Sequence, residues 1–170
     1  MEHIHFDEET FEKKDFVNQS LAKGEYEYCT FKNCNFSNAD LSEIRFLETE
    51  FIDCNLSNAN ISKTSFQDII FKNCKMLGLQ FEKCNDFGFA AYFDGCQLNH
   101  SSFYQMKLSR TSFINSQLQG VDFTGSILKN AAIRHSDLLD ATFENTNLEK
   151  ADLRNSVNYS IDPELNIIKG

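Results

Sequence analysis

Every fifth residue of this chain, from Phe6 to Phe81, is large and apolar or aromatic. The series runs Phe6, Phe11, Phe16, Leu21, Tyr26, Phe31, Phe36, Leu41, Phe46, Phe51, Leu56, Ile61, Phe66, Phe71, Met76, Phe81. It fails at Asp86 and resumes two residues out of phase, as Phe93, Leu98, Phe103, Leu108, Phe113, Leu118, Phe123, Leu128, Ile133, Leu138, Phe143, Leu148 and Leu153. Sixteen and then thirteen positions follow without a miss, although Leu, Ile, Met, Phe and Tyr fill only 52 of 170 residues. Chance would give such a run with a probability below about 10⁻¹². A period of five matches neither the 3.6-residue turn of a helix nor the two-residue alternation of a single long strand. The repeat, rather than local propensity, therefore decides the fold.

The residues around each centre repeat as well. Two positions before it the chain prefers a small side chain: Cys29, Cys34, Ala39, Thr49, Cys54, Ala59 and Thr64, later Cys96, Ser101, Thr111, Ser116, Ala131, Ser136, Ala141 and Ala151. Asp, Asn or Ser commonly stands between the two, as in Ala39-Asp40-Leu41, Cys54-Asn55-Leu56 and Ala151-Asp152-Leu153. This A(D/N)LXX pattern, over residues 6–156, resembles the pentapeptide repeat family. The resemblance implies an all-β fold, a right-handed quadrilateral parallel β-helix in which each pentapeptide forms one side and four make a coil. About eight coils, at the spacing of neighbouring strands, would make a rod roughly 35–40 Å long.

Such a coil stacks residues twenty apart, and the sequence has matching columns. Phe11, Phe31, Phe51 and Phe71 form one, Phe103, Phe123 and Phe143 another, and Leu98, Leu118 and Leu138 a third. Cys34, Cys54 and Cys74 fall into a ladder of interior thiols, at a position that already demands a small side chain. The 17 Phe, with no Trp and one Pro, then have a physical cause. A narrow interior needs flat nonpolar fillers, Trp would bury an N–H without an obvious partner, and Pro would remove ladder donors.

One domain spanning 1–170 is expected: a repeat block at 6–81, a phase break at 82–92, a second block at 93–156 and a C-terminal cap or dimer segment at 157–170. The break reads as a two-residue bulge relieved at Gly88, with Phe87 or Phe89 pointing inward. Residues 1–5 read as a polar N-terminal edge. In the tail, Asp162-Pro163 reads as a helix N-cap and first helical position, and Ile161, Leu165, Ile167 and Ile168 cover the last coil or meet a second copy.

Composition excludes several functions. No stretch approaches the roughly 20 apolar residues of a membrane span, and the N-terminus lacks a signal-peptide core. A net charge of −9 argues against a nucleic-acid binder. Six cysteines without a secretory signal read as thiols in a cytoplasmic protein. No Cys/His pair has zinc spacing, so neither metal nor cofactor is expected. Walker A, GxGxxG, GxSxG and HExxH motifs do not occur, and His100 beside Ser101 and Ser102 is sequence adjacency rather than a triad. A filled solenoid reads as a binding module, not an enzyme.

Within the family, the unbroken Phe/Leu series, Cys29-Thr-Phe and Cys34-Asn-Phe, the mid-chain break and Asp162-Pro163 are similar to the quinolone-resistance (Qnr-type) and MfpA-type proteins. That resemblance implies a dimeric rod that mimics DNA and binds a type II topoisomerase, DNA gyrase or topoisomerase IV. Charge bears on this independently. Residues 1–85 hold 15 acids and 9 bases, net −6, and residues 86–170 hold 10 and 7, net −3. In a four-sided coil, Asp7, Glu8, Glu25, Glu27, Glu48 and Asp68 share one outer face, with Arg45 the only Lys or Arg among them. Past the break, Lys107, Arg110, Lys129 and Lys150 continue that face. The stripe either meets a basic groove of a partner or is a solvated surface of a scaffold with another protein partner.

Overall fold

Parallel strands pair at an offset of twenty residues, widened to 22 across the phase break, so each coil lies directly on the one before it. The computed structural model describes residues 3–170; Met1 and Glu2, the start of the expected polar edge, lie outside the described residues. One sheet stacks β1 (His5–Asp7), β3 (Glu25–Glu27), β5 (Arg45–Leu47) and β7 (Ser65–Gln67). The second stacks β2 (Thr10–Glu12), β4 (Thr30–Lys32), β6 (Glu50–Ile52), β8 (Ile69–Lys72), β9 (Ala91–Asp94), β10 (Thr111–Ile114) and β11 (Ala132–Arg134). The remaining sides are held by single bridges such as Asn35↔Asn55, Asp40↔Asn60 and Ser102↔Asp122. The result is an all-β, parallel-strand solenoid. Its longest sheet counts seven strands, slightly short of the eight coils expected from the repeats, and is prolonged by the Ala132↔Asp152 bridge.

The register explains the phenylalanines. Phe11↔Phe31, Phe31↔Phe51 and Phe51↔Phe71 are Cα partners, and the same column continues through Phe93 and Phe113. Successive rings from Phe31 to Phe113 lie 5.0 to 5.1 Å apart and within 17° of parallel. Across the coil the rings meet edge-on, as for Phe31 and Phe46 at 5.9 Å and 85°. Each ring thus has stacked neighbours above and below and an edge contact beside it, the arrangements the ring quadrupole favours.

The small inward position does more than leave room. Cys34, Cys54 and Cys74 donate Sγ–H to the carbonyls of Phe11, Phe31 and Phe51, at 3.3, 3.3 and 3.2 Å. Thr64 Oγ1 makes the same bond to Leu41 at 2.8 Å and Thr146 Oγ1 to Phe123 at 2.9 Å. A thiol or hydroxyl here satisfies a carbonyl of the preceding coil, which a buried backbone group requires. The thiol ladder continues to Cys96, whose Sγ reaches Phe71 O at 3.2 Å, and all six cysteines are free. Hydrogen bonding with the neighbouring Cys54 and Cys96 thiols, followed by burial, pushes the Cys74 thiol up, so it stays protonated.

Corners need a left-handed residue two positions after many centres. Asn33, Asn38, Asp53, Asn58 and Asn73 have φ between 52° and 57°, and Gly95 sits at 67°. Asn, Asp and Gly tolerate this conformation best. A Cβ at Gly95 would also collide with Asn73 Oδ1. Gly95→Ala is expected to lower stability by about 1–2 kcal/mol in chemical denaturation; an unchanged midpoint would show that this corner is not constrained.

The phase break inserts its two residues between Asn85 and Ala91. Pairing is offset by twenty at Ser65↔Asn85 and by 22 at Ile69↔Ala91. The regular centre would be Asp86, which is exposed. Phe89 fills the interior instead, 6.5 Å edge-on from Phe66 and 6.1 Å from Phe81. Phe87 points outward, 77% exposed, with Gly88 at φ 67° between the two. Of the two candidates for the inward ring, Phe89 is the one that fills the interior.

The tail corrects one expectation. Asp162 and Pro163 do not start a helix: Asp162 Oδ1 accepts from Glu164 N at 2.9 Å and its carbonyl from Leu165 N at 3.2 Å, closing one turn. The segment then adds itself to the last coil, with Ile167 N donating to Thr146 O at 3.0 Å and Leu148 N to Ile167 O at 2.7 Å. The free ladder edge offers these donors and acceptors partners that a one-turn helix leaves bare. Ile161 packs on the core, whereas Leu165, Ile167 and Ile168 are about half exposed.

Candidate binding face

The first sheet turns residues 6, 26, 46 and 66 inward, so their neighbours project outward. Phe6, Tyr26, Phe46 and Phe66 are the inward members, and Tyr26 Oη donates to Ala22 O at 2.7 Å. Asp7 and Glu27 are Cα partners, as are Glu25 and Arg45. Glu8, Tyr28, Glu48 and Asp68 occupy the left-handed corner column beside them, at φ 56°, 52°, 44° and 55°. A rigid backbone ladder therefore fixes the spacing of all six acids selected from the sequence.

Five of the six converge electrostatically or through shared partners near the rod's N-terminal end. The Tyr28 phenol is raised above its usual range by the charge of Glu48 first, then Glu27, with Asp7 and Glu8 adding to it. Glu25 Oε2 takes an ion pair from Arg45 at 3.3 Å and lies 3.6 Å from His3 Nε2. Glu27 Oε2 lies 3.2 Å from His5 Nε2. Asp68 stands apart. Arg110 reaches back past the coil of Ala90 to hold its Oδ1 at 2.8 Å. Beyond that clasp the face turns basic, with Lys107 exposed and Lys129 paired to Glu149 at 3.3 Å.

Sequence spacing did not reveal the His–Glu grouping. Its members are more than twenty residues apart in part, and the coil alone joins them. The twenty-residue offset is the signal that finds it, because His5 is the Cα partner of Glu25. The His100–Ser101 adjacency gives no nucleophile: Ser101 Oγ is buried and donates to Met76 O at 2.9 Å. Among the described residues, no helix is long and apolar enough to cross a membrane.

A stacked solenoid with a filled interior defines an all-β repeat protein. The sequence profile described as the pentapeptide repeat region matches residues 24–87 and 89–156, and the chain belongs to the pentapeptide repeat family. No curated protein matches the sequence. Among solved structures, full-length QnrB1, a plasmid-mediated fluoroquinolone resistance protein, is 19% identical; the match covers 98% of this chain and 92% of that one at a TM-score of 0.42. HetL, a pentapeptide repeat protein involved in heterocyst differentiation regulation from the cyanobacterium Nostoc sp. strain PCC 7120, is 17% identical, with 92% and 85% covered and a TM-score of 0.40.

Proposed function

We propose that this protein is a binding module whose acidic face presents carboxylates, in place of DNA phosphates, to a basic groove of a type II topoisomerase in the cytoplasm, DNA gyrase or topoisomerase IV. The observation that carries this reading is the clustering of Asp7, Glu8, Glu27 and Glu48 around Tyr28. Six acids over four coils, about 19 Å of rod, amount to one charge per roughly 3 Å, against about 3.4 Å along one DNA strand. Discounting Arg45 and Arg110 leaves one per about 5 Å, still the same order. Such complementarity steers encounter and selects partners more than it adds affinity. Protection of the enzyme from quinolones belongs to the same reading, as does a homodimer through Leu165, Ile167 and Ile168.

The expected result is a salt-sensitive complex with gyrase and a change in its supercoiling activity, with or without quinolone. Glu25→Lys, Glu27→Lys and Glu48→Lys together should weaken that complex by more than about tenfold while leaving the circular dichroism unchanged. Supercoiling indifferent to excess protein would sink the reading. A scaffold serving another protein, with no gyrase role, is the second reading. It is favoured by the Asp68–Arg110 clasp, where the acidic stripe ends after half the rod.

A further inference from the structure

The His–Glu grouping on the first two coils has the make-up of a transition-metal site. His5 Nε2 and one carboxylate oxygen each from Glu25 and Glu27 all lie within 4.8 Å of one another. His3 Nε2 is close by, 3.6 Å from Glu25 Oε2. We propose that His5, Glu25 and Glu27 bind a divalent transition-metal ion of the zinc or cobalt class, with the fourth position left to solvent.

Geometry supports this in two ways. Ligands at about 2.0–2.1 Å from a tetrahedral zinc lie about 3.3–3.4 Å from each other. The His5–Glu27 separation, 3.2 Å, comes close to that edge. The carboxylates are also held in place. Glu25 and Glu27 flank Tyr26 on β3, and the fully buried Tyr26 ring stacks on Phe6 at 4.6 Å. Their side chains are only 17% and 26% exposed, so both carboxylates are partly shielded from water.

Donor chemistry selects the metal. Imidazole with carboxylate suits zinc, cobalt, nickel and copper, whereas calcium and magnesium call for oxygen ligands throughout. Arg45 engages Oε2 of Glu25 at 3.3 Å, and Glu25 keeps a second oxygen, so ion and guanidinium can share the carboxylate. The site stands whether or not the acidic face engages a topoisomerase.

Calorimetric titration of the full chain with zinc, and absorption titration with cobalt, test this. One equivalent should bind, with His5→Ala and the near-isosteric Glu27→Gln each weakening it by at least about tenfold. His100→Ala and His135→Ala, both at exposed histidines elsewhere on the rod, should leave it unchanged. Cobalt bound in a tetrahedral nitrogen–oxygen set shows visible ligand-field bands and no thiolate charge transfer. Absence of binding up to about 1 mM metal, equal affinity in His5→Ala and Glu27→Gln, or a thiolate band from the buried cysteines would each overturn the assignment.

Discussion

Phe51→Ala should lower the stability of this protein by about 3–5 kcal/mol, the usual loss for a buried ring. Phe51 is fully buried. It stacks on Phe31 at 5.0 Å and on Phe71 at 5.1 Å and meets Phe46 edge-on at 5.1 Å. Coils above and below are held in register by the backbone ladder, so they cannot close over the vacated space. A solenoid also transmits cooperativity only between neighbouring coils. The substitution should therefore broaden the unfolding transition, as the coils on either side begin to melt separately. Guanidinium denaturation monitored by circular dichroism measures both effects. A loss below about 1.5 kcal/mol with an unchanged slope would mean that stacking along this column is dispensable.

Alkaline pH should destabilise the fold well before backbone chemistry intervenes. Burial, reinforced by the charges of Asp86 and Glu82, pushes the Cys84 thiol up to about 12. In the unfolded chain it titrates near 8.5. Between those values the unfolded state gives up a proton that the native state keeps, so stability falls as pH rises. At pH 10.5 the loss from this residue is about 2–3 kcal/mol, and below pH 8 it vanishes. The Tyr26 phenol, raised mainly by burial, steepens the same decline. Denaturation series at pH 8 and 10.5 on the protein and on Cys84→Ala isolate the contribution. Parallel pH dependence in the two proteins would remove Cys84 as its source.

How much of this was legible follows from which residues repeat. Phe11, Phe31, Phe51 and Phe71 recur every twenty residues, so the column could be read directly from the chain. Cys96 could not be joined to Cys34, Cys54 and Cys74 by the same rule, because two inserted residues shift it to an offset of 22. The preference for Cys, Ser and Thr at the small position looked like a demand for size; only the bonds to the preceding coil's carbonyls show a demand for a donor as well. The six acids fall on one face as their spacing implied. Their partner Arg110 depends on side-chain reach across a whole coil, which spacing does not encode, whereas the twenty-residue offset does place His5 beside Glu25. Asp162-Pro163 carried a sound local signal for a helix, and it lost to the hydrogen bonds of an open ladder edge. Local preference yields where a longer-range partner satisfies more backbone groups.

The Arg110–Asp68 clasp has a consequence for how the rod moves through solution. On this face it separates a carboxylate-rich half from one bearing Lys107, Lys129 and Lys150, so the face carries a dipole directed along the axis. A body of this kind is turned by an external field before it is captured by one. Facing a positively charged surface, the rod rotates until the end carrying Asp7 and Glu8 leads. First contact is then tip-first, the opposite half of the chain, at net −3 against −6, being drawn in less strongly.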